Sequence, residues 1–345
     1  MYDVITIGGS TQDIFVESDR GKIFNIETIS SKESYLCFDY GAKIEMDNVA
    51  YDIGGGACNA AVNLSNLGLN TGIITKIGDD LTAKAITQRF NERNIDTSMV
   101  IQSKEDNTGF SIILTSYEGD RTVLTHRGAN NTINESEIDF EKINHSKWLY
   151  VASLSGESNL VLDKLAEYVE NSGVNMAFNP GSTQLKRGIE DLKKTLEKAE
   201  ILVLNRSEAS MVTGISNKSP EQPSICDDNL KEIIVKLRKY CPNTVVITEG
   251  KRGAYAFNGK KLYYCPIFPS KVVSTLGAGD AFSSTFVASM IKYKKNIEKS
   301  LKLASINSAS VVQSFGAQSG LKTFEELEKI YKENRDYKVI SQYID

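Results

Sequence analysis

Between Trp148 and Thr248 short apolar runs alternate with longer segments of helical period. Trp148 to Val151, Asn175 to Phe178, Ile201 to Leu204 and Val245 to Thr248 read as strands. Helices are predicted between them over about 158–171, 188–198 and 227–239. Strand and helix in strict alternation leave few options, because each helix is long enough to carry the chain back across a sheet. The pattern therefore predicts a parallel sheet with helices on both faces. Val4 to Ile7, ending in Gly8-Gly9-Ser10, reads as a buried first strand. Gly72 to Gly78 reads as another, with a helix over roughly 80–93, and Ile297 to Gln313 is one more helical pattern. A chain of 345 residues can hold two domains, or one large α/β domain with an insertion.

Two segments break this rhythm. Residues 15–50 scatter Phe15, Ile23, Phe24, Ile26, Tyr35, Phe38 and Tyr40 among Gly, Ser, Asp and Glu, without helical period. They predict irregular or β structure, and insertions of that length in a compact domain are usually functional. Thr108 to Thr115 and Arg121 to Thr125 alternate around Glu118-Gly119-Asp120, a hairpin signal. Residues 331–345, charged and Tyr-rich, read as a C-terminal extension.

The chemistry concentrates where glycine turns run into helices. In Val273-Ser274-Thr275-Leu276-Gly277-Ala278-Gly279-Asp280-Ala281-Phe282, a small-residue turn precedes apolar positions at helical spacing. N–H groups in such a first turn lack intrahelical partners and sit at the positive end of the helix dipole, so they favour an anion. A carboxylate there would repel a resting anion. It makes sense if Asp280 takes a proton from a hydroxyl while the turn holds charge developing on a transferring phosphoryl group. The alternative is that Asp280 is only an N-cap. A second unit, Gly54-Gly55-Gly56-Ala57-Cys58-Asn59, opens a helix that Gly68 should stop. Asn59 can donate and accept hydrogen bonds toward a polyhydroxylated ligand, or simply cap the helix. Asp13, just beyond the first strand, is either a ligand contact or a surface turn residue.

Composition excludes several classes. A net charge of −4 offers no basic surface for nucleic acid or an acidic membrane. Five scattered cysteines without a Cys-x-x-Cys pair, and only His126 and His145 besides, argue against a disulfide framework or a zinc site. No apolar run could span a bilayer and no signal-like start is present, so a soluble, cytoplasmic protein is expected. Gly8-Gly9-Ser10-Thr11-Gln12-Asp13 lacks the Gly-x-Gly-x-x-Gly of a dinucleotide-binding dehydrogenase, and no Gly-x-x-x-x-Gly-Lys-Ser/Thr loop occurs.

Taken together, the ordered motifs resemble the ribokinase-like (PfkB) carbohydrate kinase family over roughly residues 3–325. They are Gly54-Gly55-Gly56-Ala57-Cys58-Asn59, Asn205-Arg206-Ser207-Glu208, Thr248-Glu249-Gly250-Lys251-Arg252-Gly253, Gly277-Ala278-Gly279-Asp280 and Gly316-Ala317-Gln318. The resemblance implies a doubly wound, mostly parallel α/β core (1–14, 50–107 and 128–330) and a small β lid (15–49 and 108–127). It implies Asp280 as general base and Gly277, Ala278 and Gly279 as anion hole. Asp13, Gly55, Gly56 and Asn59 would hold the acceptor. Asn205 and Glu208 would lie near the phosphates and Mg²⁺, with Glu208 as the metal residue. Thr248, Gly250 and Gly253 would shape the ATP side, and Asn307 would lie near the adenine. In many relatives the lids pair, which implies a homodimer. Two positions depart from the family. Ser274 stands where an Asp often serves a monovalent-cation site, so such a site is doubtful. Gly56 replaces the Lys of ribokinase itself, which argues against ribose.

A neutral sugar or sugar-like alcohol is the expected acceptor. An acidic or phosphorylated one should need a cation, for which Arg127 is the first candidate and Lys43 another, unless both are plain surface charges. A nucleoside is the alternative, with Phe15, Phe38, Tyr40 or Phe110 available to stack a base. A catalytically silent sugar- or nucleotide-binding regulator on the same fold is the alternative outside enzymes.

Overall fold

A computed structural model describes residues 1–28, 32–115, 121–218 and 227–344. Among them one sheet has ten strands. Val4–Ile7 lies inside it, parallel to Thr71–Ile77 on one side and to Trp148–Val151 on the other. The sheet continues in parallel through Asn175–Phe178, Ala199–Asn205 and Thr244–Thr248. It then turns antiparallel through Ala254–Phe257, Lys261–Cys265 and Ile340–Tyr343. Val100–Gln102 closes the far edge beside Thr71–Ile77. The sheet is thus mostly parallel, as the alternation predicts, and its last strand comes from the C-terminal segment.

Val4–Ile7 and Trp148–Val151 are buried at every residue because helices cover both faces. Successive residues serve opposite cores. Val4, Tyr150 and Val246 pack with Leu64, Phe286 and Leu301 on one face. Ile5, Leu149 and Val245 pack with Leu162, Leu165 and Ile233 on the other. The helices predicted over 80–93, 158–171 and 227–239 are Leu81–Glu92, Val161–Ser172 and Asp228–Tyr240. The segment 188–198 is broken into Gly188–Asp191 and Lys193–Lys198. From Val4–Ile7 the chain moves first toward Thr71–Ile77 and later returns on the opposite side to Trp148–Val151. That reversal opens a crevice beyond the carboxyl ends of the two central strands, where open α/β sheets bind ligands.

A four-stranded sheet stands apart from the core, in the order Asn48–Gly54, Thr11–Glu17, Phe110–Thr115, Arg121–His126. A separate hairpin pairs Lys22–Glu27 with Lys32–Cys37. The boundary drawn at residue 15 falls inside Thr11–Glu17, which pairs along its whole length within this lid. Asp13 therefore sits on a lid strand, not in a turn after the first core strand. The turn Glu118-Gly119-Asp120 and Cys226 lie outside the described residues.

Candidate active site

The helix Ala278–Lys292 begins behind Gly277, whose φ is 74°. A Cβ there would lie 2.5 Å from the Cα of Ala317, so the turn requires glycine. Asp280, in the first helical turn, caps nothing with its side chain. Its Oδ2 instead accepts a 2.8 Å hydrogen bond from Asn59 Nδ2. The capping alternative for Asp280 does not describe this geometry.

Asn59 likewise does not cap. It is the fourth residue of the helix Gly56–Asn66, whose N-cap position is Gly55. Gly55 has φ 95° and packs so closely on the first-strand loop that a Cβ would lie 2.4 Å from Gly9 O. Gly56 is different: a Cβ there would meet only ordinary contacts, with the Ala152 Cβ at 3.4 Å and Asp280 Oδ1 at 4.0 Å. The space before Asp280 is therefore lined by backbone and small side chains. Asp13 is buried and accepts from Thr11 Oγ1 at 3.2 Å. Asn130, to which the sequence assigns no role, clamps the adjoining loop: Ser10 N donates to its Oδ1 at 3.0 Å and its Nδ2 donates to Ser10 O at 2.8 Å.

Electrostatics bind these residues into one site. Burial pushes the carboxyl of Asp280 up to about 6; the Asn59 hydrogen bond opposes this and the negative charge of Asp13 adds to it. Asp13 is raised by burial against hydrogen bonds from Thr11 and Ser111, with the charge of Asp52 adding. Glu208 is raised by burial, opposed by the backbone N–H of Asn205 and reinforced by the charge of Asp280. Tyr150 is pushed up by burial and by Asp280.

On the other side of Gly279 lies a cleft of about 390 Å³. Asn205, Thr248, Gly250 and Gly253 line one wall, with Ala278 and Gly279 at the floor. Phe268, Val272 and Val312 supply apolar surface, as a planar base needs. Asn205 and Glu208 form a reciprocal capping box on the helix Arg206–Thr213: Glu208 N donates to Asn205 Oδ1 at 2.9 Å and Asn205 N donates to Glu208 Oε2 at 2.8 Å. Among the described residues no cluster of three or more His, Cys, Asp and Glu could cage a metal. A lone carboxylate such as Glu208 fits Mg²⁺ that keeps waters and phosphate oxygens as its other ligands, and fits a caged metal poorly.

Asn307, Arg127, Lys43 and Ser274 form no part of the cleft wall. Asn307 does not line the cleft; it is wholly buried, donating to Asn63 Oδ1 at 3.0 Å and Thr285 Oγ1 at 2.8 Å and accepting from Lys322 N at 2.9 Å. Its helix reaches the cleft through Ser305, Ser308 and Ala309 instead. Arg127 is exposed before the short 3-10 turn Gly128–Asn131, and Lys43 is exposed as well. Ser274 is used locally: its N–H donates to Val312 O at 3.1 Å and its Oγ accepts from Leu276 N at 3.3 Å.

A half-buried carboxylate in the first turn of a helix, with a cleft of nucleotide size across that turn, is an arrangement suited to phosphoryl transfer to a hydroxyl group. The chain belongs to the pfkB family of carbohydrate kinases, whose description, "pfkB family carbohydrate kinase", matches residues 23–323. It is an ATP-dependent carbohydrate kinase. It is 26% identical over 310 residues to a ribokinase of Staphylococcus aureus, covering 89% of this chain and 96% of the relative. The structure of Arabidopsis thaliana ribokinase complexed with ribose and ATP superposes with a TM-score of 0.78 at 22% identity, over 96% of this chain and 99% of that one. A nucleoside kinase of Methanocaldococcus jannaschii reaches 0.73 at 19% identity, over 96% and 98%. Asp13 precedes the matched range.

The raised carboxyl of Asp280 has a consequence for stability. Its folded value of about 6 lies above the ordinary 3.8, so folding disfavours the ionised form. Its contribution is fully present below the ordinary value and is lost as pH rises through about 6. The lead of Asp280→Asn, neutral throughout, over the parent should therefore grow from about pH 4 to about pH 6–7 and stay level from there to pH 8. Thermal melts across that range check this; a gap independent of pH would contradict the assigned burial effect.

Proposed function

We propose that this kinase transfers the γ-phosphoryl group of ATP to a hydroxyl of a neutral sugar or sugar-like alcohol, with Asp280 as general base. The observation that carries the reading is the Asp280 carboxylate, raised chiefly by burial and bonded to Asn59 beside the Gly277–Gly279 turn. A base with a pKa of about 6 is ionised at neutral pH yet keeps more proton affinity than an ordinary aspartate. Asp13 and Asn59 orient the acceptor, with Gly55 and Gly56 leaving it room. The N–H groups of Gly277, Ala278 and Gly279 hold charge that gathers on the transferring group. Asn205, Thr248, Gly250 and Gly253 shape the nucleotide side, and Asn307 supports the adenine end from behind. Mg²⁺, held through Glu208 and the phosphates, would supply charge neutralisation on the β- and γ-oxygens.

Charge favours a neutral acceptor. Among the described residues no Lys or Arg pairs with Asp13 or Asp280, and Arg89 is committed to Asp52. A sugar acid or sugar phosphate would meet two carboxylates with no cation to offset them. A nucleoside is the second reading, favoured by the neighbouring rings of Phe110 and His126 on the lid, tilted at 41° with centroids 5.4 Å apart. A soluble, cytoplasmic location fits the finding that no helix among the described residues is long and apolar enough to cross a membrane.

ADP release across sugars, sugar acids, sugar phosphates and nucleosides tests the assignment. Neutral acceptors should turn over and anionic ones should not; a silent regulator would release ADP with none. Asp280→Asn should lower kcat by about 10²–10⁴-fold with ATP still bound. Near-normal turnover in that folded variant would remove Asp280 as base.

Ser274 leads to a second expectation. A neutral hydroxyl already engaged by Leu276 N offers K⁺ little attraction. At fixed Mg²⁺ and ionic strength, kcat/KM should differ by less than about threefold between K⁺ and a bulky organic cation. Strong, saturable K⁺ activation would show that backbone carbonyls alone build the site.

A homodimer joined through the lid is the third. Phe24, Ile26, Val123 and Leu124 on lid strands are 57%, 52%, 46% and 52% exposed, an apolar display that invites a second copy. Sedimentation should give a dimer at micromolar concentration and a monomer for Leu124→Lys; a monomeric parent would refute it.

A further inference from the structure

Behind Asp280 runs a line of polar contacts with a forced direction. Arg89, on the helix Leu81–Glu92, carries only donors. Its Nη1 donates to Gln318 Oε1 at 2.5 Å and lies 3.3 Å from Asp52 Oδ1 on the lid strand Asn48–Gly54. Gln318 is buried, so its amide is held mainly by protein partners. With its oxygen held by Arg89, its Nε2 donates to Asn59 Oδ1 at 3.1 Å and to Cys58 Sγ at 3.4 Å. Asn59, also buried, then has only Nδ2 left for Asp280 Oδ2, at 2.8 Å.

Nothing in the shape of an amide chooses its orientation, because its oxygen and NH₂ are nearly the same size. Turned over, Asn59 would set its carbonyl oxygen against the carboxylate of Asp280, and two acceptors would face each other. Gln318 could turn with it were its oxygen not fixed. The guanidinium breaks the tie, since it cannot accept a hydrogen bond from either end of Gln318. Arg89 is itself held by Asp52, so the polarity of the line is anchored in the lid.

We propose that Gln318, oriented by Arg89, is a positioning residue that sets which end of the Asn59 amide faces Asp280 and the acceptor hydroxyl. This rests on the reading of Asp280 as base and Asn59 as acceptor contact. Gln318 touches neither base nor acceptor, so its effect on the reaction passes through Asn59. Removing it should leave the nucleotide side untouched, because no residue of the line borders the cleft lined by Thr248 and Gly253.

The test follows ADP release with MgATP and whichever of D-ribose, D-fructose and inosine the parent turns over fastest, or slow transfer to water if it turns over none. Gln318→Met keeps the length and removes both polar ends. It should lower the acceptor kcat/KM, or the rate of transfer to water, by about tenfold to a hundredfold, the range expected for losing an oriented hydrogen bond to a charged group, with the KM for ATP unchanged. In an Asn59→Ala background the same change should cost less than about twofold, because the group it orients is gone. Gln318→Glu offers acceptors at both ends and should match Gln318→Met. Arg89→Met should do the same, and Arg89→Lys, which keeps a donor cation, should recover most of the loss. Full additivity of Gln318→Met with Asn59→Ala would mean ordinary packing and would overturn the proposal. So would parent-like acceptor kinetics in Gln318→Met. If Gln318→Met does not fold, Gln318→Glu and the two Arg89 variants decide by the same criteria. Asp280→Asn keeps the two failures apart: turnover retained there refutes the base itself, whereas an inactive Asp280→Asn beside a normal Gln318→Met refutes only the line.

Discussion

Everything at the site depends on the contact between two helices that are far apart in sequence, Gly56–Asn66 and Ala278–Lys292. Ala60, Ala61, Ser284 and Ala288 are fully buried, and their small side chains let the backbones approach. Asn63 fills the remaining gap. Its Nδ2 reaches Ser284 Oγ at 2.7 Å and Thr285 Oγ1 at 2.8 Å, and Asn307 from a third helix donates to its Oδ1. Each of these polar atoms would be costly to bury alone, so they hold one arrangement and reject sliding. Asn59 lies one helical turn from Asn63 on the same helix, and Asp280 one turn from Ser284 on the other. The seam thus sets the distance across which Asn59 meets Asp280. Asn307 belongs to this support and does not line the cleft.

The second constraint is electrostatic. Asp13, Asp280 and Glu208 arrive from the lid, the helix start and the far side of the sheet, and each is held above its ordinary value chiefly by burial. Mutual repulsion adds to the cost, since Asp13 raises Asp280 and Asp280 raises Glu208. A fold gains no stability from gathering carboxylates this way, so the arrangement reads as a device for chemistry. Burial matters more than any single neighbour at each of the three carboxyls.

Much of this was legible in the sequence, and the reasons it was or was not are specific. Val4–Ile7 and Trp148–Val151 announced themselves because strands buried on both faces carry unbroken apolar runs. The turn at Gly277 was legible because close approach to Ala317 demands glycine. The lid strand Thr11–Glu17 was cut at residue 15 because Gly8-Gly9-Ser10 looks like a loop that should continue, and only its partners on both sides reveal a strand. The break within 188–198 leaves no mark in an apolar period. Arg89, Gln318 and Asn130 act through contacts across the whole chain, and neither period nor spacing encodes those. Arg127 stood out as a charge beside the hairpin, and its side chain is exposed.

Asn205 and Glu208 show why local and functional readings need not compete. An Asn followed three residues later by Glu is the spacing of a capping box, and the two side chains close one on the helix Arg206–Thr213. For Asp280 the equivalent local reading fails, because its carboxylate leaves its own helix and meets Asn59. At Asn205 the cap is satisfied by Oδ1 alone, and at Glu208 by Oε2 alone. Each side chain keeps a second polar end, Nδ2 and Oε1, outside the cap, and Asn205 helps to line the cleft. The cap holds both rotamers, so in the proposed phosphate and metal role the other ends would need little further ordering. A residue pair already held by its own backbone is therefore better suited to that task than one held by nothing.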